Sequence, residues 1–412
     1  MNWQSPAVRD ASRGGDYGKV IELVRKEARM TQKQLGEACG LSQSAVSRLE
    51  GRGTSSYSTD TLASVAAHLG IPARLVGLAE QSMVRNGFER VERRGFLGGV
   101  AAAAASPILG VALDVDGSGN QAAGLRSNTA MYRRLDSSTQ SRDLAEAVHA
   151  HIRLIQNVTR DTEGEGPRSR LAAAGSEAAS LAAWLAWDMG DNGSARSWYG
   201  SAIRAARSAH DPLLAAYQAG SLAQFEAHAG NGGQALNLAR SARRYLEERR
   251  PAVADAWLCS VEALAHAANG DWRTADRALT LSRTLAEKTA REEPPPWPWV
   301  FPFDANKVAA CRVTCGARLG IAAWVLGDDV EALASGHAKQ RALTVLDLAA
   351  GHLAAGRIEA AFALASRALD TGLQYRSGRI VERSRAVRRS LSLSSLPKVV
   401  RDFDERLHGV YL

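Results

Sequence analysis

The stretch Thr31-Gln32-Lys33-Gln34-Leu35-Gly36-Glu37-Ala38-Cys39-Gly40-Leu41-Ser42-Gln43-Ser44-Ala45-Val46-Ser47-Arg48-Leu49-Glu50-Gly51-Arg52 is a run of helix signals interrupted once. Thr31 stands as an N-cap before Gln32, and Leu35 and Ala38 give the helix that follows an apolar face. Gly40 breaks that helix, Leu41 packs in the turn, and Ser42 caps a second helix, Gln43 to Glu50, with Val46 and Leu49 facing inward. Upstream, Val20, Ile21, Val24 and Ala28 recur at helical spacing within 17–29. Downstream, Asp60 begins a helix carrying Leu62, Val65, Ala66 and Leu69; Gly70 ends it and Ile71-Pro72 starts another. Residues 17–80 therefore predict five short helices on one small core, and residues 1–16, polar and Gly-rich, predict disorder.

Short helices with a tight turn between the second and third follow the helix-turn-helix plan, in which the third helix enters the major groove of DNA. On that helix Gln43, Ser44, Ser47 and Arg48 point away from the apolar face. Gln bonds adenine bidentately, Arg bonds guanine, and Ser does either more weakly. Gln32 sits in the first turn of its helix, where backbone N–H groups and a side-chain amide suit a phosphate; Lys33 and Arg52 are further phosphate candidates.

Thr31-Gln32, Leu35, Leu41-Ser42-Gln43, Val46-Ser47, Leu49-Glu50-Gly51, Leu62 and Leu69-Gly70-Ile71 make residues 17–80 resemble the phage-repressor (Cro/C1, or Xre) family. The resemblance implies a transcriptional regulator that binds a two-fold symmetric operator in double-stranded DNA as a homodimer, with half-sites about one helical turn apart. It also implies an ion pair between Arg25 on the first helix and Glu50 at the end of the third.

From residue 138 the chain is rich in Ala, Leu and Arg, with helical periodicity and no strand signal. Gly190, Gly230, Gly270, Gly327 and Gly356 read as turns between helices; Ala183, Ala223, Ala263, Gly320 and Ala349 precede them by seven residues, and Ala195, Ala235, Ala275, Ala332 and Ala361 follow by five. Small residues in a fixed frame mark where paired helices approach closely. Later in the frame Ala202, Ala242 and Ala368 are small, but Ser282 and Lys339 are not. The pattern resembles the tetratricopeptide repeat, with a step nearer 40 than 34 residues; an α-solenoid of another type stays open. The expected fold is all-α, in three parts: a DNA-binding domain over 17–80, a linker with an Ala-rich segment over 81–137, and a repeat domain over 138–407.

The repeat frame puts Glu177, Ser180, Trp184, Trp187, Tyr217, Gln224, His228, Trp257, Thr314 and Trp324 on the concave face of the array. Aromatics interleaved with polar groups suit a peptide or small-molecule effector, and equally suit packing between repeats. The Pro- and aromatic-rich segment 292–304 is either a lid or a structural cover, with packing favoured. The two-part layout resembles that of cytoplasmic regulators that include quorum-sensing receptors for short peptides. The competing reading is a repeat scaffold for another protein, anchored to DNA.

The net charge of +8 is spread along the chain, so any DNA site must come from local structure. Four cysteines are too few for a disulfide-stapled fold and point to a reducing cytoplasm. Arg93-Arg94 before an uncharged run to Leu113 looks like a twin-arginine export signal, but it follows a complete domain and the run is short and weakly apolar; a helical linker is expected rather than a membrane segment. Cys311 and Cys315 share a helix face without further metal ligands, and no catalytic triad, carboxylate pair or phosphate loop stands out. No enzyme activity, cofactor or metal is expected. The clusters Arg240/Arg243/Arg244/Arg249/Arg250 and Arg383/Arg385/Arg388/Arg389 read most simply as solvated helix faces.

Overall fold

The computed structural model describes residues 3, 5–53, 59–77, 117–246, 251–289, 303–327, 337–392, 395–408 and 410, and among them it is all-α. The first unit consists of α1 (Pro6–Gly14), α2 (Tyr17–Glu27), α3 (Gln32–Cys39), α4 (Gln43–Glu50), α5 (Thr59–Leu69) and a 3-10 turn (Ala73–Val76). Its caps are those the side chains dictate. Thr31 and Gln34 form a reciprocal capping box at α3, Gly40 closes it at φ 68°, and Ser42 Oγ accepts from Ala45 N at 3.1 Å to start α4. Val20, Ile21, Val24, Leu35, Val46 and Val65 pack with less than 2% of their surface exposed.

Residues 6–14 correct the expectation of disorder. Ser5 caps α1, Pro6 occupies its first turn, and buried Val8 seals the helix onto the core that contains Tyr17 and Val76. An amphipathic helix this short holds through packing rather than propensity, which its polar composition hides.

The second unit begins earlier than the expected boundary at 138. Helix α6 (Gly117–Leu135) lies within the stretch read as linker, and its Ala122 and Leu125 join a core with α7 (Ser141–Asp161) and α8 (Glu165–Asp188). Antiparallel pairs follow: α8 with α9 (Asn192–Ser208), α10 (Pro212–His228) with α11 (Gly232–Leu246), and α12 (Ala252–Ala268) with α13 (Trp272–Thr289). Then come α14 (Ala305–Leu319), short α15 (Ala322–Leu326), α16 (Ala338–Ala354), α17 (Ile358–Gln374), α18 (Gly378–Arg389) and α19 (Lys398–Leu407). Turn glycines Gly190, Gly230, Gly270 and Gly356 all adopt positive φ, from 75° to 91°, which a side chain would disfavour. Ala183, Ala195, Ala223, Ala235, Ala263, Ala275, Ala349 and Ala361 are fully buried where the paired helices cross.

The fourth unit departs from the expected frame. The chain turns at Gly320 (φ 70°), whereas Gly327 has φ −85° and ends α15. The close crossing is at Gly316, where a Cβ would lie 2.6 Å from Trp324 Cβ. Ala332, segment 93–113 and residues 292–302 lie outside the described residues.

The array closes on itself. Lys339 Nζ at the start of α16, only 2% exposed, donates to Asp136, Ser141 and Asp188, and Ser377 Oγ donates to Asp188 Oδ1 at 2.7 Å. Asp136 also accepts from Trp184 Nε1 at 2.9 Å and lies 3.2 Å from His337 Nε2. Burial alone would raise the Asp136 carboxyl, but the His337 bond, the Lys339 charge and the Trp184 N–H hold it at about 2. The later repeats thus meet the first through one buried ionic cluster.

The two units touch through α1, Tyr17 and the 3-10 turn, which pack on α9. Ser197 Oγ donates to Gly77 O, and a Cβ on Gly193 would lie 2.3 Å from Tyr17 Oη, so the contact requires glycine there. Burial in this interface pushes the Tyr17 phenol up to about 12.

Candidate nucleic-acid interface and effector cavity

Helix α4 is held from behind by an ion pair. Arg25 Nε lies 2.6 Å from Glu50 Oε1 and Arg25 Nη2 lies 2.9 Å from Glu50 Oε2, both side chains buried. Arg25 Nη1 donates to Met30 O at 2.7 Å, fixing the loop into α3. The Glu50 hydrogen bond raises the Arg25 guanidinium pKa, against a smaller opposing effect of burial. The pair ties α2 to the last residue of α4 and so fixes the helix that would enter the groove.

Gln43, Ser44, Ser47 and Arg48 are all exposed on α4, with Ser44 Oγ 3.0 Å from Ser42 Oγ. Lys33 and Arg52 are also exposed, Lys33 lying 3.9 Å from Glu37. Gln32 joins the buried ion pair. Its amide Nε2 donates to Glu50 Oε2 at 2.8 Å, because Glu50 has an oxygen lone pair facing the start of α3. Its side chain thus completes the internal cluster, with a second amide N–H still available. The contacts to the array come from α1, Tyr17 and the 3-10 turn.

The second feature is a half-open cavity of about 1,920 Å³ lined mainly by the array. Trp184, Trp187, Tyr217, Gln224, His228 and Trp257 line it, with Glu177, Ser180 and Thr314. Trp324 does not. It follows the Gly320 turn rather than preceding one, and its ring packs under Arg312, whose Cζ is 4.3 Å from the ring centroid. The wall is packed ring on ring: Trp187 meets Trp184 edge-on at 5.4 Å and Phe225 edge-on at 5.5 Å, and lies tilted on His228 at 5.2 Å, while Tyr217 tilts on Trp257 at 5.4 Å. Burial keeps His228 neutral, its pKa well below 6.5, with Arg379, Arg318 and Arg383 adding to the shift.

Several cavity residues carry no sequence signal. Arg379 lies over the Trp187 ring, its Cζ 3.5 Å from the centroid. Arg383 donates to Asp347, which also accepts from Thr314 Oγ1 at 2.7 Å. Arg383 and Arg388 thereby correct the reading of solvated faces, since Arg388 is paired bidentately with Asp404 at 2.6 and 3.0 Å. Arg243 of the other cluster is likewise held between Asp255 and Glu262, at 2.6 and 3.0 Å. Arginines in an Arg-rich chain look alike until their partners, distant in sequence, are known.

Cys311 Sγ lies 3.4 Å from Ser260 O and Cys315 is buried in the core. Among the described residues no group of three or more His, Cys, Asp or Glu could hold a metal ion, and no helix is long and apolar enough to cross a membrane.

Caps, core, buried ion pair and polar third helix together define a helix-turn-helix protein with an appended array of helical hairpins. Residues 21–76 match the helix-turn-helix family model. Among curated proteins no sequence matches the chain. Among solved structures the chain is similar to PlcR of Bacillus thuringiensis, crystallised in complex with the peptide PapR7 and DNA; the two are 13% identical with a TM-score of 0.33, over 83% of this chain and 98% of that one.

Proposed function

We propose that this chain is a cytoplasmic transcriptional regulator that acts by binding rather than by catalysis. As a homodimer it reads a two-fold symmetric operator through Gln43, Ser44, Ser47 and Arg48, with Lys33, Arg52 and the first turn of α3 on phosphates. The array holds an effector in its aromatic cavity. The observation that carries the reading is a continuous line of packed groups from that cavity to the DNA-binding unit. Trp187 in the cavity wall packs on Phe225, and Phe225 carries the Arg196 guanidinium 5.3 Å above its ring. Arg196 is fixed by Glu226 at 2.6 and 3.1 Å and would clash with a Cβ on Gly15, at the α1–α2 junction. Asp10 and Gly14 of α1 themselves border the cavity. An effector that binds one arrangement of this contact better than another would shift the placement of the reading helices, and a shift of a few Å costs a half-site.

The test is a band shift of Gln43→Ala/Arg48→Ala against the DNA upstream of the chain's own gene. Each bidentate base contact is worth about 1–3 kcal/mol, so preference for the specific site is expected to collapse while salt-dependent non-specific binding persists. Sequence preference unchanged in the double variant would sink the reading of α4.

A further inference from the structure

We infer that the cavity takes an organic anion, a carboxylate on a flat apolar body, with the charged end on the Arg379 guanidinium and the body against the Trp184–Trp187 wall. The inference rests on the effector reading above and names the chemistry of the ligand.

Arg379 is a half-buried cation on the cavity wall with no ion-pair partner among the described residues. Among the described residues none of its N–H groups donates a hydrogen bond and no carboxylate lies within ion-pair distance, although its ring face is covered by Trp187 at 3.5 Å and Trp184 at 5.2 Å. The two carboxylates whose fields reach it are committed elsewhere. Asp188 accepts from Ser141, Ser377 and Lys339, and Asp347 from Thr314 and Arg383. Arg318 differs, because its guanidinium is bonded to the carbonyls of Ala227 and His228 at the end of α10. Burial lowers the Arg379 guanidinium to about 10, still charged at neutral pH.

Arg379 is half-buried on the cavity wall, and a stacked guanidinium there with its N–H edge unused among the described residues is explained when a ligand supplies an anion. The rest of the lining agrees, with eight further Arg or Lys side chains against five carboxylates. Neutral His228 packs on the same Trp187 ring and lines the cavity as a further hydrogen-bonding group. A stacked guanidinium offers its free N–H edge in the plane of a carboxylate, which selects an anion with a planar head.

The full chain is titrated with matched probes: aromatic carboxylic acids against their primary amides, and pools of short random peptides with free against amidated C-termini. Binding is read by melting temperature and tryptophan fluorescence. The acid of a pair is expected to bind about tenfold or more tightly than its amide, since one charge-assisted contact separates them. Which series binds tells a small organic acid from a peptide C-terminus. Arg379→Gln is expected to weaken acid binding by about ten- to a hundredfold, Arg379→Lys by less, and the Gln variant without probe to melt no lower than the native chain. Equal binding of acid and amide, or no binding of either series at millimolar concentration, overturns the proposal; this arm needs no variant and is independent of folding. Acid affinity unchanged in Arg379→Gln overturns it too. A neutral probe that binds the cavity and alters DNA affinity would keep the effector reading and reject the anion. An Arg379-dependent acid that leaves DNA affinity unchanged would do the reverse.

Discussion

Glu50→Ala is expected to unfold the DNA-binding unit rather than to weaken DNA contacts alone. Glu50 is buried and takes three donors at once: Arg25 Nε, Arg25 Nη2 and Gln32 Nε2. Removing it leaves the Arg25 charge inside the unit with only the Met30 carbonyl to face, and two donors of the guanidinium with nothing. Breaking one side of a buried pair costs about 3–5 kcal/mol. A unit this small sits near the low end of the 5–15 kcal/mol typical of domains, so the loss removes most of its stability. Hydrogen exchange across 17–77 in the full chain separates this from loss of a base contact, because Gln43→Ala/Arg48→Ala leaves the core untouched. The double variant Arg25→Met/Glu50→Met is expected to recover most of the loss, since replacing both charges with apolar groups is close to neutral. Native protection of 17–77 in Glu50→Ala would show the pair to be ornamental.

Lys339→Met should have an effect of similar size at the other end of the molecule. The ammonium stands between Asp136 and Asp188, each about nineteen-twentieths buried at the side chain. Without it two buried carboxylates lose their shared cation, with Ser141, Ser377, Trp184 and His337 as donors that stay in place. About 3–5 kcal/mol of array stability is again at stake, read as a fall in the denaturant midpoint of the array transition. Asp136→Asn added to Lys339→Met should restore part of it, giving a coupling energy in a double-mutant cycle. The same cluster sets an acid limit. Because the folded Asp136 carboxyl titrates at about 2, below its ordinary 3.8, its contribution is fully present above pH ~4 and is lost as the pH falls toward 2. Asp136→Asn should flatten stability over that window. A variant with the native acid slope would place the titrating group elsewhere.

The repeat frame was legible because small residues recur where helices cross. Ala183 through Ala361 lie buried at those crossings with one exception, the fourth unit, where Gly316 and the Gly320 turn replace the Gly320 and Gly327 of the frame. That slip carried Trp324 to the wrong side. Ala-rich helices offer several glycines at compatible spacing, and only packing against Val325 and Trp324 chooses among them. The cavity aromatics follow from the frame itself, since the same face of successive first helices must look inward.

Thr31-Gln32 through Glu50-Gly51, read alone, determined the helices, the turn and the exposed face of α4, because caps and apolar spacing act within four or five residues. The small positions of the array were written in the same local code. Tertiary structure decided the rest. It closed the array through Lys339 and Asp136, 203 positions apart, seated α1 and Tyr17 on Gly193, turned the Gln32 amide onto Glu50, and stacked Arg379 on Trp187. None of these has a period or a local spacing to read: a buried charge is defined by which distant groups reach it, and that is fixed only when the helices pack.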